Sequence, residues 1–271
     1  MIQRLFPLFL LFGFAVSAVS AQELPQRGIC SHRGWQSEFP ENTIPAFQAA
    51  VLMKAQMIEF DVFFTKDRQM VIIHDRTVDR TSNGTGHILD LTFDEVRALD
   101  FGSWKSPRFA GTKIPTLDET LAVMPRDIWL NIHISGLPEP LNEELAVAVA
   151  EKIVADNRVD QAFVACAHAE ADAIKAKYPQ VKICNMERWD AKGYVEDTIE
   201  RKTEFIQVAG EFPSPEQIAR LKEAGIKINY FGTNDPEVMR QLFDLGVEFP
   251  LVDRLEAGMN LFDRYSQQQE E

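Results

Sequence analysis

The feature that most constrains the fold of this sequence is a repeated alternation of short apolar runs with helical patterns. Eight runs have the length and composition of buried strands, and helix signals separate most of them. They occupy residues 28–31, 57–63, 128–134, 161–166, 181–185, 204–208, 226–230 and 248–252. This order indicates parallel β/α units, and eight of them fit a TIM-type (β/α)8 barrel, which usually takes about 250 residues.

Helix boundary signals support the same architecture. Capping-box patterns begin at Thr116 and Ser214, and Asp235 stands directly before a proline, as at many helix N-termini. Gly225 and Gly246 are each followed at once by a strand-like run, which is typical of glycines that end helices. The sequence therefore predicts that helices connect the later strands.

One segment departs from the alternation, since residues 64–127 separate the second and third strand runs. The segment contains a strand-like stretch at 70–74 and a tight-turn signal at 83–86. We interpret it as an excursion over the C-terminal face of the barrel, where enzymes of this architecture keep their active sites.

Residues 1–21 have the pattern of a secretory signal peptide. Arg4 precedes an apolar run that is too short for a comfortable membrane span, and small residues close the segment. Cleavage after Ala21 would leave a single barrel domain over residues 22–271 and no stable membrane span. The expected location is periplasmic or secreted, and an uncleaved N-terminal anchor is the alternative.

The chain carries 41 acidic and 28 basic side chains, which gives a formal net charge of −13. A surface of this sign repels phosphates at long range, which argues against nucleic acid as a partner. A small molecule that carries phosphate would need a local positive site. No sequence pattern predicts the oligomeric state.

The three cysteines, Cys30, Cys166 and Cys184, lie in or at the end of apolar runs. We interpret them as small buried hydrophobic residues. A Cys166–Cys184 disulfide is the alternative in an oxidising compartment.

Two carboxylates interrupt the second strand run. Glu59 and Asp61 are two residues apart and therefore point to the same face of the strand, which is the interior of a barrel. Two buried like charges are unfavourable unless a cation lies between them. A divalent metal ion would meet that need, and so would an inward base such as Arg33, so both interpretations stay open here.

Two histidines follow strand-like stretches at the same end of the predicted barrel. His32 follows the first run and His74 ends the stretch after the second, so both are expected near Glu59 and Asp61. An imidazole titrates near neutral pH and can act as a general acid or base. With Arg33, these residues indicate metal-assisted transfer at an anionic group. The alternative for each histidine is a capping or packing role.

Ordered motifs early in the chain carry a family resemblance. They read HRG at 32–34, PENT at 40–43, AFQAA at 46–50, IEFDVFFTKD at 58–67, VIIHD at 71–75, DRTSNGTG at 79–86, DLTFDEVRALDFG at 90–102 and IPTLDETL at 114–121. This stretch resembles the glycerophosphodiester phosphodiesterase family, which belongs to the PLC-like phosphodiesterase TIM-barrel superfamily. Weaker similarity returns with INYFGTND at 228–235 and FPLVDR at 249–254.

The resemblance implies a phosphoric diester hydrolase that acts on a small-molecule phosphodiester and binds a divalent cation, calcium or magnesium. On that pattern Glu59 and Asp61 are metal ligands. His32 and His74 are the catalytic residues, which exchange protons with the attacking and leaving oxygens.

The resemblance also suggests how the substrate is bound. Arg33 would bind a phosphate oxygen, and Glu41 would help to orient the Arg33 region. Phe231 stands where the family often has a tryptophan that lines the pocket. Apart from the resemblance, Arg188, which follows the fifth strand run, is a candidate for a substitute anion-binding group, and a surface salt-bridge partner is the alternative.

The sequence departs from the family after the third strand run. The family usually shows Asn-x-Glu-x-Lys there, with the glutamate completing the metal site and the lysine binding phosphate. Residues 131–135 read NIHIS, so His133 takes the position of the third metal ligand and Ser135 replaces the lysine. An imidazole is a poor ligand for calcium or magnesium and suits zinc or manganese better. Three alternatives follow from these departures: an altered metal, an altered substrate or lost activity.

Two functions therefore stay open on the sequence. The first is a secreted or periplasmic metal-dependent phosphodiesterase that hydrolyses glycerophosphodiester-like substrates to an alcohol and a phosphomonoester by histidine acid–base catalysis. The second is a catalytically silent barrel that binds a phosphorylated or sugar-like ligand, since positions 133 and 135 both depart from the family. Retention of both histidines and both strand carboxylates favours the enzyme.

Overall fold

A computed structural model describes residues 23–134, 136–187, 193–210 and 214–270. The strands are β1 (Cys30–Ser31), β2 (Met57–Phe64), β3 (Met70–Ile72), β4 (Trp129–His133), β5 (Ala162–Cys166), β6 (Lys182–Asn185), β7 (Phe205–Ala209), β8 (Lys227–Phe231) and β9 (Phe249–Val252). The α-helices are α1 (Ile44–Leu52), α2 (Phe93–Ala98), α3 (Leu117–Val123), α4 (Leu141–Ala155), α5 (His168–Lys177), α6 (Tyr194–Arg201), α7 (Pro215–Glu223), α8 (Pro236–Leu245) and α9 (Leu255–Glu270).

Eight parallel strands close into a barrel. β1 pairs with β2 on one side and with β9 on the other, and the sheet continues through β8, β7, β6, β5 and β4 back to β2. Each predicted apolar run overlaps one of these strands. The predicted TIM-type (β/α)8 barrel is confirmed.

The side chains of β2 alternate between two environments. Ile58, Phe60 and Val62 belong to the hydrophobic core that packs against the surrounding helices. Glu59 and Asp61 therefore face the barrel interior, as the two-residue period of a strand requires. Every residue of β2 is buried, so both carboxylates are held away from solvent.

Large apolar side chains fill the barrel interior near the N-terminal ends of the strands. Met57, Trp129, Phe163, Phe205 and Phe249 belong to one buried cluster, in which the ring centroids of Phe163 and Phe205 are 4.0 Å apart. Aromatic packing of this kind closes the barrel at that end. The polar residues of the interior are left at the C-terminal end.

The excursion between β2 and β4 has two parts. Its first part extends the sheet, because β3 pairs antiparallel with the C-terminal end of β2, with Val62 opposite Ile72. Its last part is a helix of the barrel's outer ring, because α3 packs against α1. The predicted excursion thus begins at the C-terminal end of the barrel and ends as a barrel helix.

The predicted helix boundaries form as expected. Thr116 and Ser214 both cap their helices with reciprocal capping boxes, and Asp235 caps α8. Gly246 ends α8 with a φ of 100°, a left-handed conformation that favours glycine.

The three cysteines are buried and free, so the alternative of a Cys166–Cys184 disulfide is wrong. Cys166 packs in the core outside the barrel, whereas Cys184 belongs to the interior cluster, so the two thiols lie on opposite faces of the sheet. The predicted signal peptide, residues 1–21, lies outside the described residues. Within the described ranges, the structure contains no helix with the length and apolar character needed to cross a membrane.

Candidate active site

The register between β2 and β4 brings three polar side chains together inside the barrel. Asp61 lies directly beside His133, and Glu59 lies beside Asn131. The Nδ1 atom of His133 is 3.0 Å from Asp61 Oδ1 and 4.0 Å from Glu59 Oε1. Glu59, Asp61 and His133 can each offer one ligand atom, and these atoms all lie within 4.8 Å of one another. We call these three residues the acidic–histidine cluster.

The electrostatics of the two carboxylates show an incompletely compensated negative charge. Burial and the negative charge of Asp61 raise the pKa of Glu59 well above its ordinary range. Burial also opposes the ionisation of Asp61, but the hydrogen bond and charge of His133 outweigh it and lower the pKa of Asp61. Two carboxylates that cannot both ionise freely are typical of a site completed by a cation.

Arg33 supplies part of that positive charge. Its backbone N–H donates to Glu59 Oε2 at 3.0 Å, and its Nε lies 3.5 Å from Asp61 Oδ2. Its Nη1 donates to Glu41 Oε1 at 2.8 Å, so its charge is shared with a third carboxylate. The inward-base interpretation is thus correct in part, but Arg33 alone does not neutralise Glu59, Asp61 and Glu41.

The donor set of the acidic–histidine cluster fits a divalent cation. Two carboxylates and one imidazole are a mixed oxygen and nitrogen set, which suits zinc or manganese better than calcium or magnesium. Asn42 donates its Nδ2–H to Asp61 Oδ2 at 2.8 Å and so fixes the orientation of that carboxylate. A hydrogen bond of this kind keeps a metal ligand in place.

His32 follows β1, and its ring is held by the carboxylate of Asp253, which follows the neighbouring strand β9. Its Nδ1 is 2.7 Å from Asp253 Oδ1, and the hydrogen bond from His32 lowers the pKa of Asp253. An ionised carboxylate can only accept, so the contact with Asp253 favours a proton on Nδ1, although the side-chain amide nitrogen of Gln36 lies 2.6 Å from the same nitrogen. The other nitrogen, Nε2, points to the cluster and lies 3.9 Å from Glu59 Oε2. The ring of Phe231 packs against His32 with centroids 5.1 Å apart.

Asp253 is expected to position His32 for proton transfer. If His32 carries a proton in the expected phosphodiester hydrolysis, Asp253→Asn should lower kcat by about 10- to 100-fold with little change in KM, because an asparagine amide can donate to Nδ1 and move the proton to Nε2. The pH profile of kcat should shift, while the melting temperature should stay close to that of the parent. Asp244→Asn, on the exposed face of α8, is the matched control. An unchanged kcat and pH profile in Asp253→Asn would contradict the positioning role.

A chain of alternating charges connects Arg33, the neighbour of His32 in the sequence, to His74. Glu41 accepts hydrogen bonds from Arg33 and also from Arg80, whose Nη1 and Nη2 lie 2.7 and 2.8 Å from its two oxygens. Arg80 also donates to both oxygens of Asp75. Asp75 Oδ1 in turn lies 2.8 Å from the Nδ1 of the half-buried His74. The chain holds His74 by the same nitrogen as His32, which again leaves Nε2 available.

Ionisation of Glu41 makes the stability of the folded protein depend on pH. Burial disfavours its ionised form, but hydrogen bonds and charges from Arg80 and Arg33 prevail and lower its pKa. A lowered pKa in the folded state stabilises the protein above the unfolded pKa of about 4.3, and this stability is lost as the pH falls through the folded value. Glu41→Gln should therefore destabilise the protein at pH 7 by roughly 1–3 kcal/mol.

The difference between the parent and Glu41→Gln should shrink as the pH is lowered below about 4, because the parent carboxyl also becomes neutral. Urea unfolding at a series of pH values measures it. Glu223→Gln, on the exposed face of α7, is the control and should show no such trend. A difference that is the same at every pH would contradict the assignment.

The structure brings together most of the predicted site residues and leaves two undescribed. His32, Arg33, Glu41, His74 and Phe231 lie around the acidic–histidine cluster or in the chain that leads to it. Arg188 and Ser135 lie outside the described residues.

Sequence reasoning missed four residues that organise the site. They are the partners of the predicted residues: Asn42, Asp75, Arg80 and Asp253. All four occur inside the quoted motifs, so the motif text contained the signal, but only the folded chain shows which side chain each one holds.

Comparisons with known proteins identify the family of the chain. A profile of the glycerophosphoryl diester phosphodiesterase family matches residues 32–257. A glycerophosphodiester phosphodiesterase of Caldanaerobacter subterraneus is 32% identical over 243 residues, which cover 86% of this chain and 96% of the relative. The Bacillus subtilis protein YhdW is 45% identical over 137 residues, which span 50% of this chain and 56% of YhdW.

Solved structures share the fold. An Oleispira antarctica phosphodiesterase in complex with the product sn-glycerol-3-phosphate has a TM-score of 0.78 at 24% identity, covering 87% of this chain and 96% of that chain. A glycerophosphodiester phosphodiesterase from Agrobacterium tumefaciens has a TM-score of 0.71 at 25% identity, covering 86% of this chain and 99% of that chain.

The closed parallel barrel and the family match across most of the chain together define an enzyme of the phosphoric diester hydrolase class. The chain belongs to the glycerophosphoryl diester phosphodiesterase family. The resemblance of the sequence motifs is thereby confirmed, and of the two functions left open, the enzyme is supported.

Proposed function

We propose that this protein is a secreted or periplasmic, metal-dependent phosphodiesterase that hydrolyses glycerophosphodiester-like substrates to an alcohol and a phosphomonoester. The observation that carries the proposal is the acidic–histidine cluster, with its ligand atoms within 4.8 Å of one another. A histidine held by an aspartate lies beside it, and the relatives named as glycerophosphodiester phosphodiesterases support the substrate class.

Glu59, Asp61 and His133 would hold the divalent cation. When bound, the cation would neutralise charge on the non-bridging phosphate oxygens, which is the main electrostatic demand of phosphoryl transfer. The Nε atom of Arg33 lies 3.5 Å from Asp61 Oδ2. The guanidinium of Arg33 would donate a hydrogen bond to one of these phosphate oxygens. Glu41 would keep the guanidinium of Arg33 in place by its 2.8 Å hydrogen bond.

His32 and His74 would exchange the protons of the reaction. One Nε2 takes the proton of the attacking hydroxyl as the new P–O bond forms, and the other gives a proton to the leaving alcohol as the old P–O bond breaks. Asp253 and Asp75 hold the Nδ1 atoms, which leaves each Nε2 as the working nitrogen. If the attacking group is the hydroxyl beside the ester, a cyclic phosphate forms first and water then opens it.

A hydrolysis assay tests the substrate class. The purified protein is given Zn²⁺, Mn²⁺, Ca²⁺ or Mg²⁺ in turn with glycerophosphodiesters and with diesters that lack glycerol, and phosphorus NMR follows the products. We expect a phosphomonoester resonance to grow as the diester resonance falls, with the glycerophosphodiesters fastest. No product with any ion and any diester would overturn the proposal.

Secretion rests on the pattern of residues 1–21 and has its own test. Expression of the full chain with a C-terminal tag, followed by cell fractionation and N-terminal sequencing, should give a product that begins at Gln22 outside the cytoplasm. A product in the membrane fraction that keeps residues 1–21 would favour the uncleaved anchor. An uncut product in the cytoplasm would overturn the proposed location.

A further inference from the structure

A cleft of about 380 Å³ is lined in part by the loops that follow β3 and β4, and its lining includes none of the three members of the acidic–histidine cluster. Its lining combines two side chains of opposite charge with apolar walls and includes Arg76, His87, Leu89, Asp90, Leu137 and Pro138. A cleft of this size has room for a small polar group but is too small for a macromolecule.

Two segments that line the cleft follow candidate site residues closely in the sequence. Arg76 follows His74 by two residues, and Leu137 follows His133 by four. The loop that carries Arg76 starts beside Asp61, because the backbone N–H of Ile73 donates to the Asp61 carbonyl at 3.1 Å. The segments after His74 and His133 therefore supply part of the lining of the cleft, and residues 87–90 supply the rest.

The guanidinium of Arg76 lies against the backbone of the loop after β4. A Cβ atom at Gly136 would come within 3.3 Å of Arg76 Nε and of the ring of Phe63. Gly136 has a φ of +87°, so a larger residue there would be strained as well as crowded. The backbone of Arg76 is fixed too, because its carbonyl accepts a hydrogen bond from Ile88 N at 2.8 Å.

Arg76 differs from the other arginines near the site. Arg33 and Arg80 are both bound to Glu41, and Arg80 also binds Asp75. Over the described ranges, the guanidinium of Arg76 makes neither a hydrogen bond nor an ion pair, and it is exposed to the cleft. An unpaired guanidinium on the wall of a cleft is suited to bind a carboxylate or phosphate in a bidentate manner.

We propose that this cleft binds an anionic group carried by the alcohol arm of the substrate, through the guanidinium of Arg76. The inference rests on the proposed phosphodiesterase function and adds a preference to it. The substrate class is a phosphodiester whose alcohol carries a carboxylate, as in a serine ester. Asp90, on the same cleft, provides a counter-charge for an ammonium on that alcohol.

Two substrates that differ by one carboxylate test the preference. Glycerophosphoserine and glycerophosphoethanolamine are hydrolysed in parallel by the parent, Arg76→Ala, Arg76→Lys and the exposed control Arg264→Ala. The parent should favour the serine ester, and Arg76→Ala should lower the ratio of the two kcat/KM values by about tenfold or more, the effect of one lost charge-assisted contact. Arg76→Lys should lie between, and Arg264→Ala should equal the parent.

Two results would overturn the inference. An unchanged ratio of the two kcat/KM values in Arg76→Ala would show that Arg76 does not bind the carboxylate of the substrate. An equal loss for both substrates would show that Arg76 acts on the shared glycerophosphate part instead.

A binding measurement separates failure of this inference from failure of the proposed function. Calorimetry compares O-phosphoserine with phosphoethanolamine on the parent and on Arg76→Ala, and it needs no turnover. Tighter binding of O-phosphoserine that is lost in Arg76→Ala would support the cleft even if the parent hydrolyses no diester. Equal binding of both compounds by a parent that does hydrolyse diesters would overturn the cleft alone.

Discussion

Replacing His32 with alanine should lower kcat for phosphodiester hydrolysis by about 100- to 10,000-fold, the usual contribution of one general acid or base. The imidazole is nearly buried, is oriented by Asp253 and directs its Nε2 towards Glu59. Gln36 and Asn234 also bind Asp253, but a side-chain amide does not act as a general acid or base near neutral pH, so neither should make up the loss. Steady-state kinetics with the metal-loaded protein measure the effect.

His74→Ala should have an effect of similar size, and the double variant should lose little more than either single variant if the two histidines serve one concerted reaction. His168→Ala is the matched control, because His168 is also paired with an aspartate, Asp197, at 2.8 Å but is not part of the chain that leads to the cluster. Near-parent activity in His32→Ala, with normal folding, would contradict its role as a proton carrier.

Asp61→Asn should remove the bound metal and with it nearly all activity. Asp61 is buried between His133, Asn42 and Arg33. A neutral asparagine amide would be a weaker ligand for the metal ion and a poorer partner for the guanidinium of Arg33. Metal content by mass spectrometry after gel filtration should fall from about one ion per chain to near zero. Asp94→Asn, an exposed residue of α2, is the control. A full complement of metal in Asp61→Asn would contradict the assignment.

His133→Glu tests which ion the cluster prefers. An added carboxylate provides the oxygen ligand that magnesium and calcium favour, so the ratio of Zn²⁺ to Mg²⁺ affinity should fall by at least about tenfold. The measurement is competition between the two ions, followed by metal analysis. An unchanged ratio would show that His133 does not ligate the ion.

The fold could be predicted from sequence because its signals are local. Each buried strand is a short apolar run, and capping residues such as Thr116 and Ser214 mark the helix starts. Glu59 and Asp61 could be placed inside the barrel for the same reason, since the two-residue period of a strand depends only on neighbours.

The partners of the site residues could not be predicted because they depend on long-range geometry. His32 and Asp253 are 221 residues apart and meet only because the barrel closes between β1 and β9. Arg80 reaches Glu41 across 39 residues from a loop whose course no periodic pattern determines. The length of the segment and its turn signals predict the excursion. The helix α3 at its end packs against α1, and this contact cannot be predicted from local sequence.

Removal and return of the metal test the central claim most directly. The purified protein is stripped with a chelator, dialysed, and assayed on a glycerophosphodiester before and after each of Zn²⁺, Mn²⁺, Ca²⁺ and Mg²⁺ is added. Our account predicts that hydrolysis stops in the stripped protein and returns with Zn²⁺ or Mn²⁺ more fully than with Ca²⁺ or Mg²⁺. Hydrolysis at the full rate by the stripped, metal-free protein would contradict it.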